Sequence, residues 1–281
     1  MTEGGAAPEL LTSGLVFGEG PRWRDDRLWF SDMHGEAVWT VDLSGKRELV
    51  VELPGRRPSG LGFLPGGDLL IVSMLEREIL RWNGSTVAVH ADLSPLIPDP
   101  CNDMVVDGAG RAYVGSFPPP SSPDGSIILV EPDGNARVAA ENVTFPNGTV
   151  ITPDGTVLIV AESIGRRLTA FDISDGGSLT NRRVYADCPG RGPDGICLDE
   201  DGAVWAAMPL AGEFQRILAG GAVADTIAVE GRMAIACALG GPERRTLFLL
   251  SATDHSPEAL KGTRDGRIDV VRVQVGGAGI P

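Results

Sequence analysis

The chain has 281 residues, with Gly 38 and Pro 21 scattered along it and 42% hydrophobic residues, so it can build a core and is neither disordered nor fibrous. Its formal net charge of −14 repels phosphate backbones and argues against a nucleic-acid partner. Its four cysteines form no CxxC pair and its three histidines form no HxxxH or HExxH, which argues against a thiol- or histidine-built zinc site and points to reduced thiols.

At the start, MTEGGAAPELL has neither a basic segment nor an apolar one, so no signal peptide is expected and a cytoplasmic location is. No run approaches the roughly 18 apolar residues that a membrane helix needs, so no membrane partner is expected. Then a unit recurs: a small turn motif, a short apolar strand, a Gly/Asp turn and a second apolar strand. It reads GEGPRWRDDRLWFSD from Gly18, PSGLGFLPGGDLLIVSM from Pro58, CNDMVVDGAGRAYVGSF from Cys101, PNGTVITPDGTVLIVAES from Pro146, PDGICLDEDGAVWAAM from Pro193 and, degenerate, AIACALGGPERRTLFLLSA from Ala234. The turns are hairpin turns in which Gly and Asp supply positive φ. Runs such as LLIVS, VLIVA and LFLLS are strands buried on both faces.

Further strand pairs, such as AVWTVDLSGKRELVVEL, fill the gaps, giving four strands per unit. Equivalent positions Glu19, Ser59, Asn102, Asn147, Asp194 and Ile235 lie 40, 43, 45, 47 and 41 residues apart, the spacing of propeller blades at roughly 40–50 residues. The expected fold is therefore all-β: one six-bladed β-propeller with four-stranded blades, a single domain over 1–281. The spare segments Glu9–Phe17 and Arg267–Val275 are expected to pair and close the ring.

In a propeller the start of each inner strand faces the central channel. Glu19, Asn102, Asn147 and Asp194 would then converge as two carboxylates and two amides. Taken singly, each Asn or Asp reads as a turn cap. Ser59 and Ile235 show, however, that the fold does not demand an oxygen ligand there. Four such residues together point to one hard divalent cation; calcium suits them best, with magnesium, manganese or zinc open.

The motifs GEGPRW (Gly18–Trp23), ND (Asn102–Asp103), FPNG (Phe145–Gly148) and PDGICLDEDGAVW (Pro193–Trp205) resemble those of the senescence-marker-protein/gluconolactonase family over about residues 10–275. The resemblance implies a six-bladed propeller with a divalent metal held by Glu19, Asn147 and Asp194, with Asn102 in the same shell directly or through water. It implies hydrolysis of a small lactone or ester, with a small molecule as the partner. The sequence departs from the family at Pro100, where sugar-lactone members usually carry an Arg that contacts substrate hydroxyls. With the apolar stretch 93–98 before it, Pro100 points to a substrate less polar than an aldonolactone.

Two carboxylates are weighed as the base that accepts a proton from attacking water: Asp194 first, Asp103 second, the latter alternatively only orienting Asn102. His34 and His255 are read as surface or packing residues, with a place at the mouth the less favoured role. Arg56–Arg57 and Arg244–Arg245 are read as solvated turn charges. Ser73 and Ser163 lack a nucleophile-elbow context. Competing functions are a related hydrolase of another electrophile, such as a phosphotriester or a ring-opening C–N or C–C bond, and a non-enzymatic metal-binding scaffold. Nothing in the sequence fixes an oligomeric state.

Overall fold

The structure is a computed structural model and describes residues 7–279. The expectations for residues 1–6 and 280–281, both as part of the 1–281 domain and as an N-terminal segment without a signal, lie outside the described residues. Six four-stranded antiparallel sheets follow one another. Each runs from an inner to an outer strand. The inner strands are Gly18–Arg24, Pro58–Phe63, Cys101–Val106, Pro146–Ile151, Ile196–Leu198 and Met233–Gly240, here blades 1 to 6. Each inner strand packs against the next, and that of blade 6 packs back on that of blade 1. The result is the six-bladed propeller expected from the repeat. The described residues hold one short helix, Pro257–Leu260, and two 3-10 turns. None of the helices is long and apolar enough to cross a membrane.

Ring closure follows the expected pairing of the ends. Strand Glu9–Leu15 pairs antiparallel with Gly266–Arg272 and completes blade 6 as its outermost strand. The second strands, such as Leu69–Ser73 and Val204–Met208, are buried throughout because a neighbouring blade covers each face. That stacking is why their sequences read as unbroken apolar runs rather than alternating ones.

The small motifs at the repeat starts differ from the turns expected. In blades 1 to 4 they open the inner strand, and each carries a β-bulge. Glu19 pairs with Ser31 and Arg22 with Trp29, so three steps on the inner strand face two on its partner. The same one-residue excess lies between Pro58 and Leu61, Cys101 and Met104, and Pro146 and Thr149. Blade 6 has it between Ala234 and Ala236. In blade 5 the strand begins only at Ile196, after Asp194 and Gly195. A bulge re-aims the side chain at its position, here towards the axis. The following glycines permit the close approach of neighbouring blades: a Cβ on Gly148 would sit 2.5 Å from the Asp194 carbonyl oxygen and 2.6 Å from the Ile196 nitrogen.

Candidate functional site

One end of the channel opens into a cavity of about 530 Å³. Glu19, Asn102, Asn147, Asp194 and Ile235 all line it, so five of the six repeat-equivalent positions meet there. The sixth, Ser59, turns aside: its hydroxyl donates to the Asn102 carbonyl oxygen at 2.7 Å. Above this floor stand residues two places earlier in each repeat: Phe17, Arg57, Phe145, Gly192 and Met233. A further ring comes from the first residue after each second strand of blades 1 to 5: Met33, Met74, Phe117, Ser163 and Pro209. The wall is thus mostly apolar, and Phe117 and Phe145 pack together with ring centroids 4.7 Å apart.

The floor is arranged to offer oxygen. The Asn102 amide nitrogen donates to the Pro146 carbonyl oxygen at 3.0 Å. The Asn147 amide nitrogen donates to Ser163 Oγ at 3.3 Å, and that hydroxyl donates to the Pro193 carbonyl oxygen at 2.7 Å. With both amide nitrogens engaged elsewhere, the amide oxygens remain for the channel. Asp194 Oδ1 is buried without a hydrogen-bond partner, a costly state for a carboxylate oxygen in the absence of a cation.

Electrostatics at the floor point the same way. Burial, then Asp194 and Asp103, push the Glu19 carboxyl well above the usual range. Burial and the neighbouring Asp103 push Asp194 up to about 8, against hydrogen bonds from Asn147 and the Gly195 backbone that pull it down. Asp103 is also raised by burial, against the pull of Arg22. Arg22 Nη2 lies 3.2 Å from Asp103 Oδ1. Three carboxylates against this one guanidinium leave two negative charges, which a divalent cation would balance. Among the described residues no group of three or more His, Cys, Asp or Glu gathers for a metal; here half of the donor set is amide oxygen. Such an all-oxygen set fits a hard cation.

The structure separates the two carboxylates considered as bases. Asp194 faces the cavity; Asp103 does not line it. Asp103 instead pairs with Arg22 and accepts from the Met104 backbone nitrogen at 2.8 Å. His34 and His255 both line the cavity, His255 as the exposed surface residue it was read as, and Pro100 does not. His34 is held below its usual pKa by burial, then by Arg57, with Asp32 opposing.

Arg56, Arg57 and Arg244 depart from the expectation of solvated turn charges. Arg57 lines the cavity. Arg56 forms an ion pair with Glu78 and donates to Ser73 Oγ. Arg244 donates to the carbonyl oxygens of Ala278 and Gly279. The signal for Arg57 was present in the sequence, since it stands two residues before Ser59 as Phe145 stands before Asn147. The four cysteines are free thiols, and Cys197 and Cys237 Sγ lie 3.6 Å apart.

The sequence and the fold have counterparts among known proteins. The chain is 28% identical over 186 residues to a 6-deoxy-6-sulfogluconolactonase of Pseudomonas putida, covering 64% of this chain and 64% of that protein. It is 27% identical to regucalcin of Xenopus laevis over 266 residues, covering 90% of this chain and 88% of that one. A solved regucalcin from Agrobacterium tumefaciens, described as a calcium-binding protein, has the same fold, with a TM-score of 0.83 and 23% identity over 98% of this chain and 96% of that one. Residues 17–253, from the strand entry beside Glu19 into the second strand of blade 6, match the model of the SMP-30/Gluconolactonase/LRE-like region. The chain therefore belongs to the SMP-30/gluconolactonase/LRE-like family.

Proposed function

We propose that this chain, acting as one domain, is a divalent-metal-dependent hydrolase that opens a small lactone less polar than an aldonolactone, with calcium the cation best suited to it. The observation that carries the reading is the floor: four oxygen-bearing side chains from blades 1, 3, 4 and 5, two amides with their nitrogens tied back, and Asp194 Oδ1 without a partner. The names of relatives support the reaction type. The alignment with the sulfogluconolactonase spans 64% of that protein, and a pentonolactonase of Haloferax volcanii is 26% identical over 192 residues. Free buried thiols suit a cytoplasmic site of action.

Glu19, Asn147 and Asp194, with Asn102 beside them, would hold the cation, which supplies Lewis-acid polarisation of the ester carbonyl and stabilises the developing oxyanion. The chain's own residues do the rest. Asp194, the cavity-facing carboxylate, accepts the proton of the attacking water. Asp103 and Arg22, paired behind the floor, fix the strand that carries Asn102. Ser163 holds the Asn147 amide in the orientation that keeps its oxygen on the channel. The walls of Phe17, Met33, Met74, Phe117, Phe145 and Met233 exclude water and favour an apolar ring substituent over a polyhydroxylated one.

The test is hydrolysis of gluconolactone, an alkyl γ-lactone, dihydrocoumarin and a phosphotriester, before and after chelation, with calcium, magnesium, manganese and zinc added back. Turnover of the alkyl or aryl lactone should vanish on chelation and return with calcium. Turnover that survives chelation would overturn the metal role. Preference for gluconolactone would overturn the substrate reading, and preference for the phosphotriester would move the reaction to another electrophile.

A further inference from the structure

Two adjacent arginines in blade 2 have different fates. Arg56 is satisfied by Glu78 and Ser73. Arg57 makes no ion pair or side-chain hydrogen bond with the described residues, yet it lines the cavity. Its backbone is held in place, the carbonyl oxygen accepting from the Met74 nitrogen at 3.1 Å. Arg57 belongs to the ring of residues two places before the floor, whose other cavity members are Phe17, Phe145, Gly192 and Met233. It brings a fixed positive charge to an otherwise apolar or small set. Pro100, at the same place in blade 3, brings no donor.

The charge balance makes this position informative. Glu19, Asp103 and Asp194 against Arg22 leave two negative charges, which a divalent cation would cancel. Arg57 would then be the one cationic side chain of its ring on the cavity wall, with the buried Asp32 carboxylate, which acts on the same His34, as the remaining anion nearby. A guanidinium among apolar walls favours a planar or forked anion that it can grip with two N–H groups. His34 beside it stays neutral near pH 7, held down by burial and then by Arg57, so it can donate one hydrogen bond without adding charge. A depression of about 410 Å³ that shares His34 and Pro257 with the cavity wall carries Lys261 and Arg264 together with one carboxylate, Glu36. On a chain of net charge −14, this local excess of cations offers an approaching anion an entry side.

We propose that Arg57 is a specificity-determining residue that binds an anionic substituent, a carboxylate or a sulfonate, on a substrate whose remaining surface is apolar. This rests on the reading of the cavity as a lactone site. The hydrolysed product would then carry two negative groups, one at the floor and one at Arg57.

The experiment compares a γ-butyrolactone bearing a ring carboxylate, its sulfonate counterpart and its neutral carboxamide, on calcium-loaded wild-type protein, Arg57→Gln and Arg57→Lys. The wild type should favour an anionic lactone over the carboxamide in kcat/KM by about tenfold or more, chiefly through KM, as expected for a charge-assisted contact. Arg57→Gln should bring that ratio close to one, and Arg57→Lys should retain part of it. Whether the carboxylate or the sulfonate gains more identifies the anion. A wild-type ratio near one, or a ratio that survives Arg57→Gln, overturns the proposal. If no lactone is turned over, the hydrolase reading fails by itself. Calorimetric binding of benzoate against benzamide to the same three proteins then decides Arg57: a preference for benzoate lost in Arg57→Gln upholds anion recognition, and equal binding by wild type and Arg57→Gln overturns it.

Discussion

The two ends of the channel are built from the same inner strands and differ in almost everything else. At one end the strands begin, in five of the six blades with an extra residue in the ladder, and the cavity measures about 530 Å³. At the other end the strands run regularly, and only about 30 Å³ remains among Thr149, Val150, Ile196, Leu198, Cys197 and Cys237. The C-terminal segment shuts this end: the Ala278 nitrogen donates to the Leu198 carbonyl oxygen at 2.8 Å, and Asp199 bridges Gly277. One strand set thus yields an open cavity with a polar floor where its ladder is interrupted and a narrow end, filled by apolar residues with Arg22 and Arg244 among them, where it is not. The difference lies in backbone register, with side-chain chemistry following it.

Substitutions at the two ends should therefore separate function from stability. Asp194→Ala at the open end should lower lactone kcat/KM by about a thousandfold or more, the scale of a lost base, and abolish the rise in melting temperature on adding calcium. A fold intact by circular dichroism with activity retained would break the contrast. Leu239→Ala at the closed end should cost about 2–5 kcal/mol in denaturant unfolding, because Leu239 is buried against the C-terminal segment at Gly277. Its calcium affinity should stay that of the wild type; a matching loss of affinity would mean that the two ends are coupled.

Gly148→Ala lies on the boundary between site and ring. Its new Cβ would be forced against the backbone of Asp194 and Ile196, for about 1–3 kcal/mol of overpacking. Calcium affinity should fall with it, since the strained backbone carries a ligand on each side. Unchanged affinity would show that the floor tolerates movement between blades 4 and 5.

Per unit of change, the mildest lever is pH. In the cation-free protein Asp194 is pushed up to about 8, above the usual range of an unfolded Asp. The folded state therefore holds more protons than the unfolded one between roughly pH 4 and 8, and cation-free stability should fall as pH rises through that window. A cation requires the ionised carboxylates of Asp194 and the likewise raised Glu19, so its apparent affinity should rise by about tenfold or more per pH unit through that window. Calorimetry at several pH values would read this, and a flat profile would remove proton competition from the site.

Much of this was legible in the chain. The repeat spacing carried the blade count, and the equivalent positions 19, 102, 147 and 194 carried the floor, because a propeller turns sequence periodicity into radial symmetry. The bulges were not legible: Pro-Asn-Gly has the same letters whether it turns a chain or buckles a strand, and the pairing partner decides. Arg57 was missed because it was weighed as a charge beside Arg56 rather than as a member of its own ring of equivalent positions. His34 and His255 sit on connections whose path depends on neighbouring blades, and no local pattern records that path.

The closing strand has a consequence for how the molecule is made. Glu9 ends up opposite Val270, so this segment waits for a partner made 261 residues after it. Until then it is a solitary ribbon with both edges open, the state in which strands tend to recruit neighbouring chains. Of Glu9–Leu15 only Leu15 is buried in the finished ring, so the waiting strand leaves only that one core side chain to be covered on closure. The strand that seals the propeller thus adds little to the core by sealing it.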